Sequence, residues 1–213
     1  MKKFNFWWLL LLVPIFFGAF VAITEPIPEF EKAVFDTLQK LPKFFYYPLF
    51  GLTELGGTIG VVTVTVLIFV LSIIFKKFFT VGLPVALTVI ISRIVNICLK
   101  ALIDRPRPEF KLFPNETETS FPSGHSQNNM ALYIALLLVL LLIVKSPILL
   151  RWLKVVLIAL PFVIGITRLY FGVHYISDVI AGWSVGALLA IVIHILYFKV
   201  LNERKTKNAD KSV

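Results

Sequence analysis

The sequence predicts an all-α, polytopic membrane protein with six transmembrane helices in one bundle and a short interfacial helix between the first two. Three observations carry this expectation. The chain of 213 residues is 58% hydrophobic with a mean hydropathy of +0.89, far more apolar than a soluble domain. Apolar runs long enough to cross a hydrocarbon core recur from one end to the other. Lysines and arginines gather at the ends of those runs. No polar stretch is long enough to build a second domain, so residues 1–213 read as a single domain.

The first span is expected over about residues 6–23, after Lys2 and Lys3, with Pro14 as a kink. The run resembles a signal peptide, and Ala19-Phe-Val-Ala22 has the form of a cleavage site. Its length and the spans that follow favour an uncleaved helix. In residues 24–47, Phe30, Val34, Phe35, Leu38 and Leu41 fall near one helical face, and Glu31, Lys32, Asp36 and Gln39 take the rest. That pattern predicts a short helix on the membrane surface.

A second span is expected over about 48–75, tilted or broken near Gly56-Gly57, with Glu54 facing water and Lys76 and Lys77 at its end. The third covers about 81–103. Its Arg93, Asn96 and Lys100 share one face and should look into the bundle. Asp104-Arg-Pro-Arg-Pro108 stops that helix, because proline removes a donor and restricts its neighbour. Residues 104–121 then form a polar loop, with Arg105 and Lys111 as solvated charges and a glycosylation sequon at Asn115-Glu-Thr117.

The fourth span opens at Pro122-Ser-Gly-His125 and runs to about 144, followed by a basic turn with Lys145, Arg151 and Lys154. The fifth covers about 155–171 with a bend at Pro161, and the sixth about 175–198. The basic tail from Lys199 reads as irregular near its end. The single cysteine, Cys98, excludes an internal disulfide. A net charge of +9 in a soluble protein would indicate nucleic acid. Here the cations flank spans or join polar constellations, so membrane lipid is the expected partner and nucleic acid is not.

Six spans put both termini on one side. The lysines and arginines of the two ends and of the turns near Lys76 and Arg151 outweigh those of the opposite face. This bias predicts a cell-membrane protein with both ends in the cytoplasm. The other face then collects Lys100, Arg107, Ser123, Gly124, His125, Arg168, His174 and Asp178 from four helix ends. Ionisable groups at membrane depth cost about 2.5–3.5 kcal/mol each, so their convergence marks a site.

The residue types fit a phosphate. Arginine presents a planar fork of N–H groups to phosphate oxygens, which suits Arg107 and Arg168, and Lys100 adds a point charge. Ser123 and Gly124 lie at a helix start, where backbone N–H groups favour anions. His174 can attack phosphorus. Asp178, four residues on, can hold the imidazole tautomer and stabilise its developing charge. His125 can protonate the leaving group and then activate water. No metal or other cofactor is required. A metal site built from His125, His174 and Asp178 is disfavoured by the surrounding cations.

Lys100 to Arg107-Pro108, Pro122-Ser-Gly-His125, and Thr167-Arg168 to His174 to Asp178 together resemble the three motifs of the type 2 phosphatidic acid phosphatase (PAP2) superfamily of membrane lipid phosphatases. That family usually has serine where Thr167 stands, and a hydroxyl is kept. The resemblance implies a helical bundle and the roles given above. Size and layout are most similar to bacterial phosphatidylglycerophosphatases and undecaprenyl-diphosphatases. The expected substrate is accordingly a lipid phosphate or diphosphate, cleaved on the outer side. Two other readings are a phosphotransferase that uses an acceptor lipid in place of water, and a non-catalytic lipid or anion transporter on the same fold. His194 reads as structural. Arg93 and Asn96 read as stabilising the bundle, Tyr170 and Tyr175 as interface residues. Gln127, Asn128 and Asn129 read either as headgroup contacts or as links between helices.

Overall fold

The computed structural model describes residues 6–24, 28–109 and 119–210, and every regular element in them is helical. A 3-10 segment, Phe6–Leu11, leads into α1 (Leu12–Ala22). Then follow α2 (Glu29–Gln39), α3 (Tyr46–Leu55), α4 (Thr58–Ile74), α5 (Leu83–Ile103), α6 (Gly124–Ile143), α7 (Pro147–Tyr170) and α8 (Ile176–Asp210). Among the described residues, four stretches are long and apolar enough to cross a membrane: Phe78–Ile103, Gly124–Ile143, Pro147–Tyr170 and Ile176–Glu203. Helices α3 and α4 pass the same test as a pair bent by 52°. The break falls at Gly56-Gly57, as expected. The apolar helix Leu9–Ala22 is shorter than the others.

Local chemistry sets the boundaries. Pro14 lies in the first turn of α1, just after the 3-10 segment hands over to the α-helix. Asp104 closes α5 in the left-handed region at φ 47°, and its N–H returns to the Lys100 carbonyl at 3.0 Å. Ser146 caps α7 by accepting from the Leu149 N–H at 3.3 Å, and Pro147 stands at the first helical position. Helix α7 therefore starts eight residues before the expected 155, and Arg151 and Lys154 lie on it rather than in a turn. The tail also differs from expectation: α8 continues to Asp210. Lys111 and the sequon at Asn115 lie outside the described residues.

Helix α6 is the centre of the bundle. Of its apolar window 61% is buried inside the protein, against 22% for α7. It packs most extensively on α8, with α5 and α7 also against it. The α6–α8 contact depends on small residues. A Cβ at Gly186 would stand 2.3 Å from the Gln127 carbonyl oxygen and 2.9 Å from the Met130 Cβ. Gly186→Ala must push the two helices apart. It is expected to destabilise the fold by about 1–3 kcal/mol, read as a lower Tm in detergent.

Candidate active site

Three segments meet at the His174 end of the bundle. The first is the end of α5 with residues 104–109, the second the start of α6, and the third the turn from α7 into α8. The last turn needs a left-handed residue, and Gly172 supplies it at φ 64°. A cavity of about 340 Å³ opens here, lined by Lys100, Arg107, Gly124, His125 and His174 among others.

His174 is buried and held from both ring nitrogens. Arg107 Nη1 lies 3.3 Å from Nε2, and the same Nη1 donates to the Val173 carbonyl at 3.0 Å. Asp178 Oδ2 lies 3.5 Å from Nδ1, and Ser120 Oγ is 3.3 Å from it. A guanidinium only donates, so Nε2 must accept and the ring proton belongs on Nδ1, facing the carboxylate. The tautomer thus leaves a lone pair on Nε2. Burial is the main cause that lowers the His174 pKa, to about 4. Its bond to Asp178 opposes this, and the charges of Arg107 and Arg168 add to it.

Asp178 is fully buried at the start of α8. Its carboxylate accepts from Arg105 Nη1 at 2.6 Å, from the Tyr175 N–H at 2.9 Å and from Ser120 Oγ. Its backbone carbonyl accepts the Ser123 N–H at 3.1 Å, which ties α6 to α8. Ser123 itself caps α6, accepting from the Ser126 N–H at 3.4 Å. Ser123 and Asp178 thus sit behind the cavity wall, while Gly124 lines it. Lys100 Nζ donates to the Thr119 carbonyl. Arg168 is 2% exposed and donates to Thr53 Oγ1 on α3 at 2.8 Å. It does not line the cavity, although its charge reaches His174. Thr167 bonds back to the Ile164 carbonyl at 2.6 Å, within its own helix.

Two expectations are corrected. Arg105 is not a solvated loop charge: it is 4% exposed and lies 4.0 Å over the Tyr175 ring. Besides Asp178 it donates to Ser177 Oγ at 2.8 Å and stands 3.6 Å from Glu31 Oε1. The reason is charge balance, since a buried carboxylate needs a cation beside it. Glu31 is not on the water face of α2. It is 2% exposed, accepts the Ile176 N–H at 2.9 Å and receives the Ser177 hydroxyl. An acid at the first turn of α8 meets the positive end of the helix dipole there. Ser120 is a further residue that sequence reasoning missed. Arg105-Pro-Arg-Pro108 held the only sequence signal for any of the three, in an arginine two residues from Arg107.

The polar residues of the spans link helices. Asn96 donates to the Pro122 carbonyl at 3.2 Å and to Gln127 Oε1 at 3.0 Å. Asn129 donates to the Gly56 carbonyl at 2.7 Å, docking the break between α3 and α4 beside His125. A Cβ at Gly57 would lie 3.6 Å from His125 Nε2.

A sequence profile of the PAP2 superfamily matches residues 81–201. The chain belongs to the PAP2 superfamily. The match contains all three motifs. Phosphatidylglycerophosphatase B of Bacillus subtilis is 34% identical over 67% of this chain and 70% of its own length. Undecaprenyl-diphosphatase of Sulfolobus acidocaldarius is 27% identical over 90% of this chain and 91% of its own. The crystal structure of a transmembrane PAP2 type phosphatidylglycerolphosphate phosphatase from Bacillus subtilis superposes with a TM-score of 0.80. It shares 27% identity and covers 91% of this chain and 96% of that one. The enzyme class expected from the motifs, a phosphatase of this superfamily, is the one these relatives carry in their names.

Proposed function

We propose that this protein is an integral membrane lipid phosphatase that cleaves a terminal phosphate through a phosphohistidine on His174. The substrate is phosphatidylglycerophosphate, undecaprenyl diphosphate or both, two lipids for which relatives are named. The observation that carries the reading is the fixed tautomer of His174, with Nε2 beside Arg107 and Nδ1 toward Asp178, on a cavity shared with His125. Nε2 forms a bond to phosphorus as the bond to the leaving oxygen breaks, and His125 gives that oxygen its proton. Asp178 holds the charge that develops on the ring. Water then attacks the phosphohistidine, His125 takes its proton, and inorganic phosphate leaves with Nε2 restored. Lys100, Arg107 and Gly124 stabilise the equatorial oxygens, with Arg168 acting through its field and Ser123 through the cap that sets the start of α6.

The reading needs no metal, because both Asp178 oxygens already accept protein donors, Arg105 on one and Tyr175 on the other. Taken as spans, the short α1 and the bent α3–α4 pair complete six, with α2 between the first two as the interfacial helix. Both termini then face the cytoplasm, and the site lies on the extracytoplasmic side of the cell membrane. The test is phosphate release by the purified protein from each lipid in detergent micelles containing a chelator. Release from one or both is expected, and release from neither would contradict the reading.

The His174 environment adds a pH prediction. Its proton affinity is lowered to about 4 from the ordinary 6.5, so the unfolded chain binds more protons between those values. Stability from this group therefore rises with pH across that window and is lost as pH falls through it. The ring should stay neutral at working pH. Nitrogen NMR of labelled protein should show the His174 ring neutral from pH 8 down to 5.5, whereas a midpoint near 6.5 would refute the burial argument.

A further inference from the structure

The cavity does not end at the phosphate donors. It continues between α4, α5 and α6 to Val61, Val62, Val89, Arg93 and Asn128. Along α5, Arg93 lies seven residues deeper than Lys100, a rise of about 10 Å. Along α6, Asn128 lies one turn deeper than Gly124, about 6 Å.

A relay of hydrogen bonds fixes which end of Asn128 is available. The Pro122 carbonyl only accepts, so Asn96 turns its N–H₂ group toward it and toward Gln127 Oε1. Gln127 Nε2 then donates to the Ser92 carbonyl at 2.8 Å. The Ser92 hydroxyl receives a second Gln127 contact at 3.4 Å and donates to Asn128 Oδ1 at 2.8 Å. The carbonyl of Asn128 is thereby occupied, and its N–H₂ group is what it offers. A guanidinium and a fixed amide donor at the inner end of the cavity make an anion-binding pair.

We propose that Arg93 and Asn128 form a second anion subsite that takes the inner phosphodiester of a lipid whose terminal phosphate lies at His174. This rests on the phosphatase reading above and names the substrate class for it. Two phosphorus atoms joined by one bridging oxygen sit closer than one helical turn, about 5.4 Å. Phosphates separated by a three-carbon polyol span more than that, which matches the offset of Arg93 and Asn128 from Lys100 and Gly124. The order is also right for a membrane: terminal phosphate outermost, then spacer, then phosphodiester, then acyl chains against Val61, Val62 and Val89. The subsite therefore favours a lipid with two phosphates spaced by glycerol over an adjacent diphosphate or a single phosphate.

The test compares phosphatidylglycerophosphate, a polyprenyl diphosphate and phosphatidic acid, each in mixed micelles with full-length protein. Wild type should prefer phosphatidylglycerophosphate to phosphatidic acid in kcat/KM by about tenfold or more, the scale of one charge-assisted phosphate contact. Arg93→Gln should remove most of that preference, about tenfold, chiefly through KM, and the loss on the diphosphate should be smaller. Asn128→Asp, which replaces the donor with a carboxylate, should act in the same direction. Equal kcat/KM on the two phospholipids in wild type would overturn the subsite even if the variants did not fold. So would a loss of equal size on all three lipids. Phosphate release from none of the three lipids would instead overturn the phosphatase reading, and release that persists in His174→Ala would overturn only its nucleophile.

Discussion

Replacing His174 with alanine is expected to lower kcat by about 10⁴-fold or more while phosphate binding is partly kept, the pattern of a lost nucleophile. The residue has two separable duties. In the proposed mechanism Nε2 supplies the attacking lone pair, and Asp178, 3.5 Å from Nδ1, stabilises the charge that develops on the ring. Alanine removes both. Lys100, Arg107 and Gly124 remain on the cavity, so inorganic phosphate should still protect the variant against thermal unfolding. Phosphate release at more than a hundredth of the wild-type rate would show that some other group attacks phosphorus. A variant that loses activity and phosphate protection together would mark His174 as structural.

The second large effect falls on Arg105. Arg105→Ala leaves Asp178 and Glu31 buried without the guanidinium that faces both. Breaking a buried ion pair from one side costs about 3–5 kcal/mol. In the proposed mechanism, an Asp178 so stranded that takes up a proton no longer stabilises positive charge on His174. Both stability and kcat are therefore expected to fall, kcat by about 10²-fold or more, since a buried charge pair and the ring it orients act as one unit. Arg105→Lys should recover part of each, because an ammonium restores the charge but not the fork that spans Ser177, Asp178 and Glu31. Unchanged Tm and kcat in Arg105→Ala would restore the view of Arg105 as a loop charge.

Most of the candidate site is legible in the sequence because it is written in local spacing. His174 and Asp178 sit four apart across the start of α8. Lys100 and Arg107 bracket the end of α5, and Ser123 and Gly124 open α6. The break at Gly56-Gly57 was legible from composition alone. What could not be read was the pairing between distant segments. Glu31 and Arg105 are charged residues in polar stretches, and polarity of a stretch normally means water. Only the fold brings them within reach of Ser177 and Asp178, where burial turns each into a necessary partner of the other. The Arg168 bond to Thr53 on α3 is another such long-range pairing, made by a residue whose motif position points to phosphate. Hydropathy alone puts the start of α7 near residue 155, eight residues late. Ser146-Pro147 is a helix-start pair that outranks two cations on the following turns.

The most direct test of the account is to trap the covalent intermediate. The protein, mixed with lipid carrying a labelled terminal phosphate and quenched within a turnover under alkaline conditions, should carry acid-labile label on one peptide. Mass spectrometry should place it on His174. Label on His125 or on any other side chain, or turnover with no labelled protein at any quench time, would contradict it.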